Sequence, residues 1–276
     1  RFCKGKRFLN FWYIRRNTIS FKLNCKVNMN PSVLFFFLTV LYSASGLSLP
    51  SDFEKCKRSD PNINDCLKSA IQTSLPIMAK GLPDFNLDGI QPIKVPSLSI
   101  GEGKGAVHVV QNYKNVEIHN VNLAKIENVE STITDTEFKL KVKTVSKEVY
   151  MTADYNLNGN ILVLPIVGDG DCKISMQNLK TDFELIGEII EKKGKKYIDI
   201  KAFNVNLEPE KVEFKFNNLF NGDPKLGPQM NTVLNDSWKD VFSDVKAGYE
   251  EALSAIFKNI ASLIFKRVPY DELLPQ

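Results

Sequence analysis

The sequence predicts an α+β fold in which a long C-terminal helix is wrapped by a strongly curved antiparallel β-sheet. Two periodicities carry that expectation. Between about residues 104 and 217, apolar side chains recur at every second position with polar ones between them, as in strands with one wet and one dry face. From Asn231 to Phe265 they recur at steps of three and four. The third observation is length. These 35 residues make a helix roughly 50 Å long at 1.5 Å per residue, which overhangs any small flat sheet. A sheet that covers such a helix has to be equally long and curled around it.

Composition describes a globular protein. Over 276 residues, 43% are hydrophobic and 25% charged, which excludes a disordered chain. The formal net charge is +4, but residues 1–46 hold eight basic side chains (Arg1, Lys4, Lys6, Arg7, Arg15, Arg16, Lys22 and Lys26) and no acidic one. Without them, 28 basic side chains face 32 acidic ones, a net of −4 for residues 47–276. No basic tract remains to hold nucleic acid, and the acidic balance disfavours anionic membranes.

The front of the chain reads as targeting sequence. The first methionine is Met29, followed by the apolar run Val33–Tyr42 and the small residues Ser43-Ala44-Ser45-Gly46. Ten apolar residues are too few to span a hydrocarbon layer, which takes about twenty. We read residues 1–28 as upstream translation, 29–46 as a signal peptide, and 47–276 as a single secreted, extracellular domain without stable membrane insertion. Cys3 and Cys25 fall in the front segment. Cys56 and Cys66 have nine residues between them, and in an oxidising compartment such a pair closes a loop worth roughly 2–3 kcal/mol. Cys172 is left over as an expected buried small hydrophobe.

Along this domain, Ile63, Cys66, Leu67, Ala70 and Ile71 follow a helical step within 62–80. Gly81, Pro83, Gly89, Pro92 and Pro96 give 81–100 an extended, irregular reading. Alternation then appears in Val107/Val109, Val116/Ile118, Phe138/Leu140/Val142, Cys172/Ile174/Met176, Phe203/Val205/Leu207 and Val212/Phe214/Phe216. Turns are expected at Asn158-Gly159-Asn160, Gly168-Asp169-Gly170-Asp171 and Lys193-Gly194-Lys195. The basic cluster around Gly194 reads as a solvated hairpin tip. On the long helix, Lys239, Asp240, Asp244, Lys246, Glu250, Glu251 and Lys258 form the face opposite the apolar stripe, Gly248 is a point where it can bend, and Pro269 lies beyond its end.

Catalytic chemistry finds no purchase. His108 and His119, the only histidines, stand in strand-like sequence with no nucleophile motif, and no Gly-x-Ser-x-Gly occurs. Gly101-Glu102-Gly103-Lys104-Gly105 lacks the spacing of a phosphate loop, and Asp169 with Asp171 supplies too few oxygens for calcium. No enzyme activity, cofactor or metal is expected.

A sheet wrapped about an apolar helix encloses an elongated interior. Either its side chains meet and fill it, leaving a secreted protein-recognition or membrane-surface module, or they leave a tunnel for a slender apolar ligand. Stripe and parity point Phe138, Leu140, Phe203, Val205, Phe242, Val245, Leu253 and Phe257 inward. Tyr155, Trp238 and Tyr249 are candidates for orienting a ligand, since each joins an apolar body to one hydrogen-bonding tip. Asn235-Asp236-Ser237 is a glycosylation sequon at the start of the helix.

Several stretches together resemble the takeout and juvenile-hormone-binding protein family of insects. They are Cys56…Cys66-Leu67 before a short helix, Asp88-Gly89-Ile90-Gln91-Pro92 running on to Pro96–Ile100, Tyr155–Gly159 with Leu162–Gly170, Leu219-Phe220-Asn221-Gly222-Asp223-Pro224-Lys225-Leu226-Gly227 with Asn231, Leu234-Asn235 and Trp238, and the ending Pro269–Pro275. The likeness spans essentially all of 47–276. It implies a carrier of the tubular lipid-binding fold, with an apolar tunnel for a terpenoid, fatty-acid-like or juvenile-hormone-like ligand, and it leaves a receptor or carrier partner open. Hormone-binding members carry a second disulfide. Cys172 has no partner for one, which sets the sequence nearer the takeout branch.

Overall fold

The computed structural model describes residues 47–276 apart from Lys104 and Ala106, so the expected upstream segment, the signal peptide, Cys3 and Cys25 lie outside the described residues. In chain order, helix α1 (Ile63–Ala79) precedes strands β1 (Ile93–Ile100), β2 (Val107–His119), β3 (Lys125–Ile133), β4 (Glu137–Ile161), β5 (Leu164–Lys192), β6 (Lys195–Glu208) and β7 (Lys211–Phe216). Helices α2 (Leu226–Asp236) and α3 (Trp238–Phe265) and the single turn α4 (Tyr270–Leu273) follow.

One long hairpin is the spine of the sheet. β4 and β5 pair antiparallel from Glu137–Glu188 to Ile161–Leu164. β2 and then β1 add to one part of β4, and β3 pairs with the rest of it. β7 and β6 lie one after the other along β5. Straight, the 29 residues of β5 would run about 95 Å, whereas the 28 residues of α3 run about 42 Å. The strands therefore coil around the helix. Register shifts between Lys114 and Glu117, Ile126 and Asn128, and Ile186 and Gly187 supply the bends, since an extra residue kinks a strand and raises its twist.

The spine also changes its inward parity. On β4 the buried residues are Val142, Thr144 and Ser146, and then Met151, Ala153 and Tyr155. On β5 they are Cys172, Ile174 and Met176, and then Leu179, Thr181 and Leu185. Both switches fall at Lys147 and Asn178, the one position where the pairing skips, and Asn178 has a left-handed φ of 45°. The sheet thus has a tip half (β1, β2, β7 and the hairpin tip) and a base half (β3, β6 and the open end), and each half has a main hydrophobic cluster of its own.

The helices close the curl with polar side chains as well as apolar ones. Asn231 and Asn235, one turn apart on α2, act as a surrogate strand for β7. The N–H groups of Phe216 and Phe214 donate to Asn231 Oδ1 and Asn235 Oδ1 at 2.9 Å each, and the two side-chain nitrogens donate back to the Phe216 and Phe214 carbonyls at 2.9 and 2.8 Å. On α3, Glu250 Oε1 accepts the Leu207 N–H (2.8 Å), Ser254 Oγ accepts the Val205 N–H (3.1 Å), and Lys258 Nζ donates to the Lys201 carbonyl (2.5 Å). Asp244 accepts the Gly105 and Val107 N–H groups at 2.7 and 2.6 Å. A free edge of β6 or β7 would template aggregation, and here the helix covers it.

Several expectations are corrected. The long helix is two: Ser237, with φ −103° and ψ 22°, separates α2 from α3. No proline or glycine marks the break, so the three-and-four spacing runs through it. Asn158-Gly159-Asn160 and Gly168–Asp171 are strand, not turn. Gly159 pairs with Ile166 and Gly170 with Tyr155, and at both glycines a Cβ would strike neighbouring backbone. These glycines permit close strand packing, a use that looks like a turn in sequence. The reversal lies at Leu162-Val163, where Leu162 has φ 56°. Residues 93–100 form β1 despite Pro96, and β3 is a strand without a clear sequence alternation, because a register shift between Ile126 and Asn128 interrupts it. Helix α3 runs unbroken through Gly248. A Cβ there would lie 2.7 Å from Ile100 Cγ2, so the glycine lets α3 approach β1.

Cys56 and Cys66 form a disulfide that ties the segment before α1 to its first turn, and Cys172 is a buried free thiol. Burial pushes that thiol up to about 12, so it stays protonated and inert at neutral pH. At the other end of the chain, buried Tyr270 donates to the Thr134 carbonyl (3.1 Å), and the Arg58 guanidinium lies over its ring at 4.3 Å.

Candidate functional site

A cavity of about 390 Å³ lies between the C-terminal part of α3, helix α1 and the inner face of the sheet. This is within the range of about 300–1,000 Å³ found for small-molecule sites. From α3 come Leu253, Ile256, Phe257, Ile260 and Ile264. Helix α1 contributes Leu67, Ile71, Leu75 and Met78, and the base half of the sheet contributes Phe138, Leu140, Val142, Phe183, Leu185 and Phe203. Leu49, Phe53, Leu273 and Leu274 bring the two ends of the described chain to the same wall.

The lining follows from local structure. α1 and α3 offer aliphatic residues at helical spacing, and the even-numbered positions of β4 before Lys147 face the same way. Phe183, Phe203 and Phe257 form a ring cluster with centroids 5.4–6.0 Å apart. Their edge-on and stacked arrangement fixes that wall. Met78, Met151 and Met176 also reach the cavity, and their unbranched thioethers adapt to irregular shapes. The apolar part of this wall can take hydrocarbon surface out of water.

Of the residues expected to point at a ligand, Phe138, Leu140, Phe203, Val205, Tyr249, Leu253 and Phe257 line the cavity. Tyr155, Trp238, Phe242 and Val245 are not among its lining residues. Phe242 and Val245 are buried in the tip-half core, in one cluster with residues of β2, β5 and β7. Tyr155 stands edge-on to Phe216 at 4.9 Å and donates to the Asn217 carbonyl at 2.6 Å. Trp238 is half-buried at the start of α3. Parity and stripe say which side chains turn inward, but not how far the opposite wall is.

Tyr249 lines the cavity with its ring alone. Its hydroxyl sits 2.9 Å from Gln111 Oε1 and 3.0 Å from the Tyr113 hydroxyl, which is 2.8 Å from the same Gln111 oxygen. Two phenolic protons serve these three contacts, so the cluster ties α3 to β2 and leaves no proton for a ligand. Burial drives both phenols well above the ordinary tyrosine value, so both remain protonated donors.

Sequence reasoning missed the contribution of α1 and three hydroxyls on the wall, Thr144, Ser146 and Thr181. The first two continue the inward parity of Phe138, Leu140 and Val142. A signal was present: polar residues at positions where the pattern demands apolar ones.

Among the described residues no group of His, Cys, Asp and Glu could hold a metal, and no helix is long and apolar enough to cross a membrane. Residues 33–275 match the family model described as haemolymph juvenile hormone binding protein. The circadian clock-controlled protein daywake of Drosophila melanogaster is 25% identical over 229 residues, 81% of this chain and 87% of that protein. A protein of Schistocerca gregaria named "Putative beta-carotene-binding protein" is 22% identical over 223 residues, 79% of this chain and 86% of its own length. The crystal structure of Epiphyas postvittana Takeout 1 aligns with a TM-score of 0.70 at 24% identity, covering 81% of this chain and 100% of that one. At that identity the likeness speaks for the fold, a curved antiparallel sheet with a C-terminal helix.

Proposed function

The chain belongs to the haemolymph juvenile hormone binding protein family, and from that premise we propose that it is a secreted carrier holding a small elongated hydrophobic ligand in the cavity beside α3. The ligand is of terpenoid, fatty-acid-like or juvenile-hormone-like character. One observation carries the reading. The second half of the α3 stripe is partly exposed, and what it is exposed to is a void walled by aliphatic and aromatic side chains. Apolar surface that faces a void without core contact is a standing cost, which a hydrocarbon ligand removes.

The expected affinity follows from area. A ligand burying about 400 Å² of apolar surface gains about 10 kcal/mol at roughly 25 cal/mol per Å². Association takes back at least about 4 kcal/mol. The remainder corresponds to a dissociation constant of tens of micromolar, before the dispersion gained by filling a void is counted.

The test is to extract protein purified from its secreting host with organic solvent and analyse the extract by mass spectrometry, alongside uptake of a neutral hydrophobic fluorophore by stripped protein. Co-purified lipid and saturable uptake are expected. An empty extract together with no uptake overturns the carrier reading and leaves a recognition module with an interior that does not load.

A further inference from the structure

Thr144, Ser146 and Thr181 are each about 4% exposed, and all three face the cavity from the middle of an otherwise apolar wall. Thr144 and Thr181 are directly opposed in the β4–β5 register, and Ser146 is the next inward residue along β4. Thr144 Oγ1 has one long contact, 3.5 Å to the Thr181 carbonyl, well beyond the usual O–H···O distance of about 2.7–2.8 Å. Among the described residues Ser146 Oγ and Thr181 Oγ1 have no hydrogen-bond partner. Neither oxygen is sealed in the core, since the buried side-chain atom without a partner among the described residues is Asn122 Oδ1; both open onto the cavity, so their hydrogen-bonding capacity is available to whatever occupies it.

The other polar groups of the lining are accounted for differently. Ser74 Oγ donates to the Ile71 carbonyl at 2.8 Å, the Tyr249 hydroxyl is engaged by Gln111 and Tyr113, and Tyr150 is only half-buried, its ring stacked on His119. Glu54, exposed, is the single charged residue of the lining, and no Lys, Arg or His reaches it.

We propose that Thr144, Ser146 and Thr181 form a polar seat for one uncharged oxygen-bearing group (an ester, ketone or alcohol) on the carried ligand, and that the cavity selects such ligands over carboxylates. Hydroxyls donate to a carbonyl oxygen or exchange bonds with an alcohol at no electrostatic cost. A carboxylate in the same position would be a buried charge without a cation, which is strongly unfavourable. A pure hydrocarbon would leave the hydroxyls unsatisfied. The inference rests on the carrier reading and narrows its ligand class.

Displacement of a neutral naphthylamine fluorophore by methyl laurate, lauryl alcohol, laurate and dodecane tests it, on the wild-type chain and on the Thr144→Val/Ser146→Ala/Thr181→Val variant. Valine keeps the shape of threonine and suits a strand, and Thr181→Val alone serves if the triple variant does not fold. In wild type the ester and alcohol compete at least about tenfold better than laurate, and the variant loses about tenfold in affinity for them while dodecane and the fluorophore hold. Laurate competing as well as its ester in wild type, or a variant that keeps full ester affinity, overturns the seat and leaves the carrier intact. Failure of wild type to take up even the fluorophore overturns both.

Discussion

Along α3, Val241, Phe242, Val245 and Tyr249 are 3–4% exposed, whereas Leu253, Ile256, Phe257 and Ile260 on the same stripe are only partly buried. Val241, Phe242 and Val245 lie in the buried core of the tip half, and Tyr249 stands where that core borders the cavity. The second group faces α1 and the base half across a void. Helical spacing, residue type and hydrophobicity are alike in the two groups. The difference lies in what stands opposite, so an apolar stripe identifies an inward face and not a filled interior.

The contrast can be broken most directly by truncation. Phe242→Ala should cost about 3–5 kcal/mol in urea unfolding, because it opens a hole in close-packed core. Leu253→Ala should cost only about 1–2 kcal/mol, since part of its surface already faces space, while weakening fluorophore uptake. Equal losses for the two would show that the halves are packed alike.

A second measurement concerns the polar stitching of the tip half. Asn235→Ala leaves the Phe214 N–H and carbonyl without their partners and should destabilise by about 2–3 kcal/mol. Ligand uptake by the folded fraction should be unchanged, as Asn235 is remote from the cavity lining. A drop in uptake at full folding would argue that the halves are coupled. The same side-chain nitrogen also donates to the Asn231 carbonyl at 2.7 Å, so a glycan at this sequon would remove one of two hydrogen bonds.

Gly248 sits where the two halves of α3 meet. Gly248→Ala gains helix propensity of about 1 kcal/mol but sets a methyl 2.7 Å from Ile100 Cγ2, and overpacking of this kind costs about 1–3 kcal/mol. A small net loss in thermal stability is expected, with the sign reversing in the Ile100→Ala background. If no reversal occurs, the close approach of α3 to β1 is not what the glycine serves.

The smallest effect is electrostatic and confined to the base half. The hydrogen bond from Lys201 Nζ at 2.9 Å, together with Lys266 Nζ at 3.2 Å, holds the Asp199 carboxyl below its ordinary value of 3.8. A depressed folded-state value stabilises above the unfolded value and loses that contribution as pH falls through the folded one. Unfolding midpoints should therefore decline below about pH 4, less so in Asp199→Asn, with the difference shrinking in high salt. A difference that persists in salt would mean the carboxylate acts through something other than these exposed lysines.

Much of this architecture is written in local pattern. The strand alternation, the helix from 63, the two inward faces and the Cys56–Cys66 pair depend on period and spacing, which short-range sterics and burial impose on any chain that folds this way. Features set by contacts between distant segments were not legible. The break at Ser237, the strand role of Gly159 and Gly170, the parity switch at Lys147 and Asn178, and the use of Asp244, Glu250 and Ser254 as edge caps all depend on partners far along the chain. Sequence pattern places Asp244 and Glu250 on the face opposite the apolar stripe, and only the curl of the sheet brings strand edges to them. Whether inward side chains meet or leave a hollow is decided the same way. Periodicity fixes a direction, whereas a void is a distance between two walls, and that distance is set by bulges, twist and the placement of α1 rather than by any one stretch of residues.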